Sequence, residues 1–247
     1  MRHVFSTMGT VASLEAPGLA GRILGAIETV FADADRRFSL YRPDSELSAV
    51  NAGRIGLPDA DSALRDAHAL AVEWRILTGG AFTPVRPDGL LDLNGVVKAL
   101  AMSRAAELLE EAAMPNWTLV VGGDLIASGH GGDGGPWVTG IADPADRRRL
   151  LCSIELRGSR RAIATSGKAE RGDHIWKAGS GPREFSQVTV VADDIVTADV
   201  LATAIVAGGD EMLTEACARW DIDVLAVEID GGLRATPGFR RVLAQAA

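Results

Sequence analysis

A chain of 247 residues, 47% hydrophobic and 23% charged, has the composition of an ordinary folded protein and is long enough for one large domain or two small ones. Its formal charge of −8 speaks against a general binder of nucleic-acid backbone, which needs a basic surface. A metal ion and a few local cations can still receive an anionic nucleotide on such a chain.

No stretch approaches the ~20 apolar residues of a membrane helix. Met1 to Ser6 carries no signal-peptide run, so a cytoplasmic protein without membrane insertion is expected. Cys152 and Cys217 stand far apart among apolar residues. They exclude a Cys-x-x-Cys zinc site and a disulfide framework, and predict two buried small hydrophobes.

Val4 to Leu14 reads as a strand interrupted at Met8-Gly9-Thr10. Ala20 to Phe38 places Ile23, Ile27, Val30, Phe31 and Ala34 at helical spacing, and Leu64 to Leu77 repeats the pattern. Between them Phe38 to Asn51 is rich in hydroxyls and holds the chain's one tyrosine, Tyr41. Asp44 or Ser45 there can cap a short helix, while Tyr41 can stack on a ring. Gly79-Gly80-Ala81-Phe82-Thr83-Pro84 is either a glycine C-cap or a loop that lets a ligand approach the backbone.

Asp92-Leu93-Asn94-Gly95-Val96-Val97-Lys98 leads into a helix over Val97 to Ala112. A glycine loop at a helix amino terminus is a natural anion site to which Lys98 can add a charge, while the segment read in isolation favours an Asx turn and helix cap with a solvated lysine. Strands follow at Trp117 to Val121, Trp137 to Ala142, Leu151 to Leu156, Ala162 to Thr165 and Gln187 to Val191. Val121-Gly122-Gly123-Asp124 lacks the Gly-x-Gly-x-x-Gly dinucleotide fingerprint, and His130 to Gly135 reads as a flexible loop. Asp173-His174-Ile175 offers a proton shuttle near neutral pH.

A helix is expected over Ile195 to Ala207, a second near Met212 to Trp220, and a strand at Val224 to Ile229. In Asp199-Val200-Leu201-Ala202-Thr203 a carboxylate and a hydroxyl sit one helical turn apart, on one face. Two such oxygens suit a hard cation such as Mg²⁺, which takes few protein ligands. The alternative is an Asp favoured by the helix dipole and a Thr bonded back to a carbonyl. Helices and strands mixed without strict alternation indicate an α+β class.

Taken in order, eight blocks resemble the ApbE family of FAD:protein FMN transferases. They are Met8-Gly9-Thr10, Phe38 to Asn51, Gly80-Ala81-Phe82, Asp92 to Lys98, Gly122-Gly123-Asp124, Ala164-Thr165-Ser166-Gly167, Asp173-His174-Ile175 and Asp199 to Thr203. The resemblance implies an α+β fold with a mixed or antiparallel sheet core and flanking helices. It is expected as a single domain over 1–247, with two intimately packed lobes as the open alternative. It further implies FAD as substrate, Mg²⁺ as cofactor, and transfer of FMN to a Thr or Ser hydroxyl of an acceptor flavoprotein, with AMP released. No nucleic-acid partner is expected.

By motif position the resemblance assigns Met8, Tyr41, Ala81, Phe82, Thr83, Asp92 and Lys98 to FAD. It assigns Asp199, Thr203 and a backbone oxygen near Gly95 to the metal, and His174 to the base on the acceptor hydroxyl. Thr83 and Ser103 stand where the family usually has Asp, Ala99 where it has Gly, and Lys177 where it has an acid. Those departures keep two alternatives open: an FAD-binding protein without transfer, and an Mg²⁺-dependent FAD pyrophosphatase giving FMN and AMP.

Overall fold

Period-two alternation builds the sheet, because successive strand residues point to opposite faces. In the computed structural model, which describes residues 2–167 and 184–244, eight strands form one antiparallel sheet. In chain order they are β1 (Arg2–Thr7), β2 (Thr10–Glu15), β3 (Trp117–Val121), β4 (Asp124–Ser128), β7 (Ala162–Gly167), β8 (Phe185–Ala192), β9 (Asp223–Glu228) and β10 (Leu233–Ala235), and they neighbour one another in that order. The hairpin of β5 (Trp137–Ala142) and β6 (Leu150–Leu156) forms a separate two-stranded sheet.

Both faces of the central strands are covered. Leu119, Val121, Ala164, Val188, Val190 and Ala226 join the main core. Their alternates Ile163, Val191 and Leu225 join a smaller core with Ile141 and Ile154 of the β5–β6 hairpin. Strands buried on both faces read as near-continuous apolar runs, as in Val188-Thr189-Val190-Val191.

The main core is roofed by α1 (Gly21–Phe38), α3 (Ser62–Leu77), α4 (Asn94–Glu111) and α5 (Ile195–Arg219). Helix α1 buries Ile27, Phe31, Ala34 and Phe38, one stripe of a 3.6-residue period. Short α2 (Glu46–Asn51) is capped by Ser45, whose hydroxyl accepts from Ser48 N–H. Helix α6 (Pro237–Arg241) closes the described chain.

Helix α5 contains the two helices expected from the sequence. Gly209, at φ 69° and ψ −151°, breaks it between them, a backbone conformation that L side chains rarely adopt. Strands β4 and β10, absent from the sequence expectation, border turns rich in Gly and Asp. The cysteine expectation is corrected: Cys152 is half-buried and Cys217 exposed, because its position on α5 faces away from the packed side. Partial burial still raises both thiols above their ordinary range, with Asp223 adding to the shift at Cys217.

Candidate active site

Antiparallel pairing carries alternate connections to one end of the sheet. Met8 and Gly9 turn β1 into β2 with φ of 47° and 70°. Gly122 and Gly123 turn β3 into β4 beside them, with Gly122 N–H donating to Val11 O at 3.1 Å. A Cβ on Gly122 would stand 3.2 Å from Thr10 Oγ1, so the two turns are packed together. β7 reaches the same end, with Thr165 N–H donating to Asp124 Oδ1 at 3.2 Å.

Helices α4 and α5 pack against each other over this end and bring three ionisable groups together. Lys98 Nζ ion-pairs with Asp124 Oδ2 and lies 3.7 Å from Asp199 Oδ2. Asp124, Lys98 and Asp199 are exposed by 0%, 7% and 4% respectively, so the cluster is an ammonium between two buried carboxylates. One helical turn beyond Asp199, Thr203 Oγ1 meets Ser166 Oγ at 2.9 Å.

The helix-dipole alternative for Asp199 loses its ground, because the helix starts at Ile195, after the N-cap Asp194, whose side chain accepts from Thr197 N–H at 2.8 Å, and Asp199 lies beyond the first turn. Asp199 is the fifth residue of the helix and points into the cluster instead. Lys98, expected either in solvent or in a site, is buried.

The loop after α3 closes around the amino terminus of α4. Thr78 Oγ1 accepts from Phe82 N–H at 3.1 Å, holding the turn of Gly79 and Gly80. Phe82 is buried, and a Cβ on Gly95 would stand 2.6 Å from its ring. A Cβ on Gly208 of α5 would stand 3.1 Å from Ala81 Cβ. Ala81 and Phe82 therefore sit between α4 and α5, and glycines are required where the backbones approach them.

Asp92 and Thr83 are locally engaged. Asp92 Oδ1 accepts from Asn94 N–H at 2.9 Å in an Asx turn, and Thr83 Oγ1 accepts from Val85 N–H at 3.2 Å. Asn51 clamps this loop from α2: its amide donates to Leu91 O at 2.9 Å and accepts from Leu91 N–H at 2.8 Å. Tyr41 is 79% exposed. Beside it Arg42 donates to Asp44, a hydrogen bond that, with one from the backbone, holds the Asp44 carboxyl below its ordinary range. His174 and Lys177 lie outside the described residues.

Asp124 and Ser166 are members to which the sequence assigns no role. Both lie in blocks that carry the family resemblance, Gly122-Gly123-Asp124 and Ala164-Thr165-Ser166-Gly167, at strand ends. Gly122 and Gly123 also border a cleft of about 220 Å³ on the other face of the sheet, with Thr139, Arg147, Thr165 and Gln187.

Oxygen donors dominate the cluster. Among the described residues no group of three or more His, Cys, Asp or Glu is placed to hold a metal. One carboxylate, one hydroxyl and a backbone oxygen nevertheless fit a hard cation, which completes its shell with phosphate and water. Asp199 carries such a carboxylate, and Thr203, one helical turn on, carries such a hydroxyl.

A family model described as the ApbE family matches residues 8–87 and 84–226. A Klebsiella pneumoniae protein named FAD:protein FMN transferase is 27% identical over 172 residues, covering 64% of this chain and 49% of the relative. Its namesake from Escherichia coli K12 is 28% identical over 157 residues, covering 59% and 44%. The chain thus spans about half the length of the curated relatives it matches. Among solved structures, the flavin transferase ApbE from Vibrio cholerae superposes with a TM-score of 0.80 at 24% identity, covering 98% of this chain and 99% of that one. The ApbE protein from Thermotoga maritima gives 0.81 at 22% identity, with 99% of each chain covered. The fold is theirs.

Proposed function

This chain belongs to the ApbE family, and from that premise we propose that it is an Mg²⁺-dependent FAD:protein FMN transferase. The observation that carries the reading is the convergence of Ala81, Phe82, Gly95, Lys98, Asp199 and Thr203 on one end of the sheet. Those residues come from three separate segments, and a helix-packing role alone asks for no buried Lys and Asp among them.

Phosphoryl transfer depends on positioning and charge neutralisation more than on covalent catalysis. In the proposed reaction the acceptor hydroxyl oxygen forms a bond to the FMN-side phosphorus of the FAD pyrophosphate. The bond to the bridging oxygen breaks, and AMP leaves with the electron pair. His174 takes the hydroxyl proton. Lys98 supplies a positive charge toward the phosphates, while Met8, Tyr41, Ala81, Phe82, Thr83 and Asp92 orient FAD. Asp199, Thr203 and a backbone oxygen near Gly95 would hold Mg²⁺, which when bound neutralises pyrophosphate charge.

The test is mass spectrometry of a peptide carrying Asp-Gly-x-Thr-Ser after incubation with the protein, FAD and Mg²⁺. A metal-dependent gain of one FMN, matched by AMP, supports transfer. Free AMP without gain replaces it by FAD hydrolysis, and FAD binding with neither product replaces it by a non-catalytic binder.

A further inference from the structure

Asp124 has no place in the reaction just proposed, yet among the described residues it is the most deeply buried charge at the site. Its two oxygens have different partners on different elements. Oδ1 accepts from Thr165 N–H of β7 at 3.2 Å, and Oδ2 holds Lys98 Nζ of α4. Lys98 is closer to Asp124 than to Asp199, whose Oδ2 is 3.7 Å away. We propose that Asp124 is a positioning residue that draws the Lys98 ammonium off Asp199 and so keeps the Asp199 carboxylate available to a divalent cation.

The physical reason is competition in a poorly solvated site. Among the described residues, one ammonium between two carboxylates sums to a formal charge of −1, which attracts a cation. Without the Asp124 charge, Lys98 and Asp199 would neutralise each other, and the same ammonium would oppose an incoming metal. Interactions at these separations are strong because little water screens them. The Gly122-Gly123 turn matters here because it starts β4 with this side chain directed at α4.

The inference rests on the metal reading of the proposed function, and the two fail separately. Asp124→Asn keeps an oxygen for Thr165 N–H and is nearly isosteric, but it offers Lys98 no charge. Binding of Mn²⁺ is read by the loss of the free-ion electron paramagnetic resonance signal in titrations of the full chain, with the melting temperature measured alongside. Asp124→Asn is expected to weaken Mn²⁺ binding about tenfold. Adding Lys98→Met to it removes the competitor and is expected to restore binding to within about threefold of the parent.

Unchanged Mn²⁺ affinity in Asp124→Asn overturns the proposal, and so does a double variant as weak as the single one. Should Asp124→Asn not fold, Lys98→Met alone decides: binding no weaker than the parent's is expected, and weaker binding overturns the proposal. A parent protein that takes up no Mn²⁺ refutes the metal reading itself, and the inference with it.

Discussion

Thr203 Oγ1 lies 2.9 Å from Ser166 Oγ, which ties the middle of helix α5 to the end of strand β7. The contact orients the Thr203 hydroxyl toward the same face as Asp199, one turn earlier. Thr203→Val keeps the shape and removes the oxygen. It should weaken Mn²⁺ binding about tenfold, whereas Ser166→Ala, which leaves that oxygen in place, should cost about threefold or less. Parallel titrations of the two variants check the order; an equal loss would make the hydroxyl pair a structural tie only.

Asp199→Asn should abolish metal-dependent FMN transfer while the thermal transition stays cooperative. Lys98 keeps Asp124 as its charge partner in that variant, so no buried ammonium is stranded. Transfer at the parent's rate would refute the assignment of Asp199 to the cation.

Gly95→Ala sets two effects against each other. Alanine gains up to about 1 kcal/mol of helix propensity over glycine. The added methyl, however, would stand 2.6 Å from the buried Phe82 ring, and overpacking of that kind costs about 1–3 kcal/mol. Overpacking should win, giving a lower melting temperature and weaker FAD binding by fluorescence titration. Tighter FAD binding would show that Phe82 does not shape the flavin site.

Arg160 joins three acidic residues away from the site. Its guanidinium bonds Asp221 at 2.5 Å, Asp223 at 2.9 Å and Asp193 at 3.1 Å. Arg160→Met should cost about 2–3 kcal/mol, chiefly by leaving the buried Asp223 without its cation. Hydrogen bonding to Arg160, then its charge, lowers the Asp221 carboxyl below its ordinary value of 3.8. A depressed folded-state value means a contribution fully present above pH 3.8 and lost as the pH falls through the lower folded value. In urea unfolding, the Asp221 share of the difference between parent and variant should therefore be lost only on strong acidification; a difference that grows as the pH falls would reverse the assignment.

Periodicity made most of the fold legible, as α1 and β8 illustrate. Phe31 and Ile27 recur at helical spacing because α1 buries one stripe. Val188 to Val191 form an apolar run because β8 is covered on both faces. Short β4 is illegible in the pattern because the Gly122-Gly123 turn interrupts it, whereas the break of α5 at Gly209 is legible between two apolar helical runs.

The sequence by itself determined the α+β class, the ApbE membership and the one-turn spacing of Asp199 and Thr203, because these follow from local spacing and motif order. It left Asp92, Lys98 and Asp199 each with a bland alternative, since a short segment carries no record of what packs on it. Tertiary structure supplied that record: Asp92 makes an Asx turn, Lys98 is buried, and Asp199 lies beyond the first turn of its helix and faces Lys98. It also brought in Asp124, 26 residues from Lys98 and 75 from Asp199 in the chain. Only the antiparallel register of β3 and β4, with α4 and α5 packed over it, sets that carboxylate beside the ammonium.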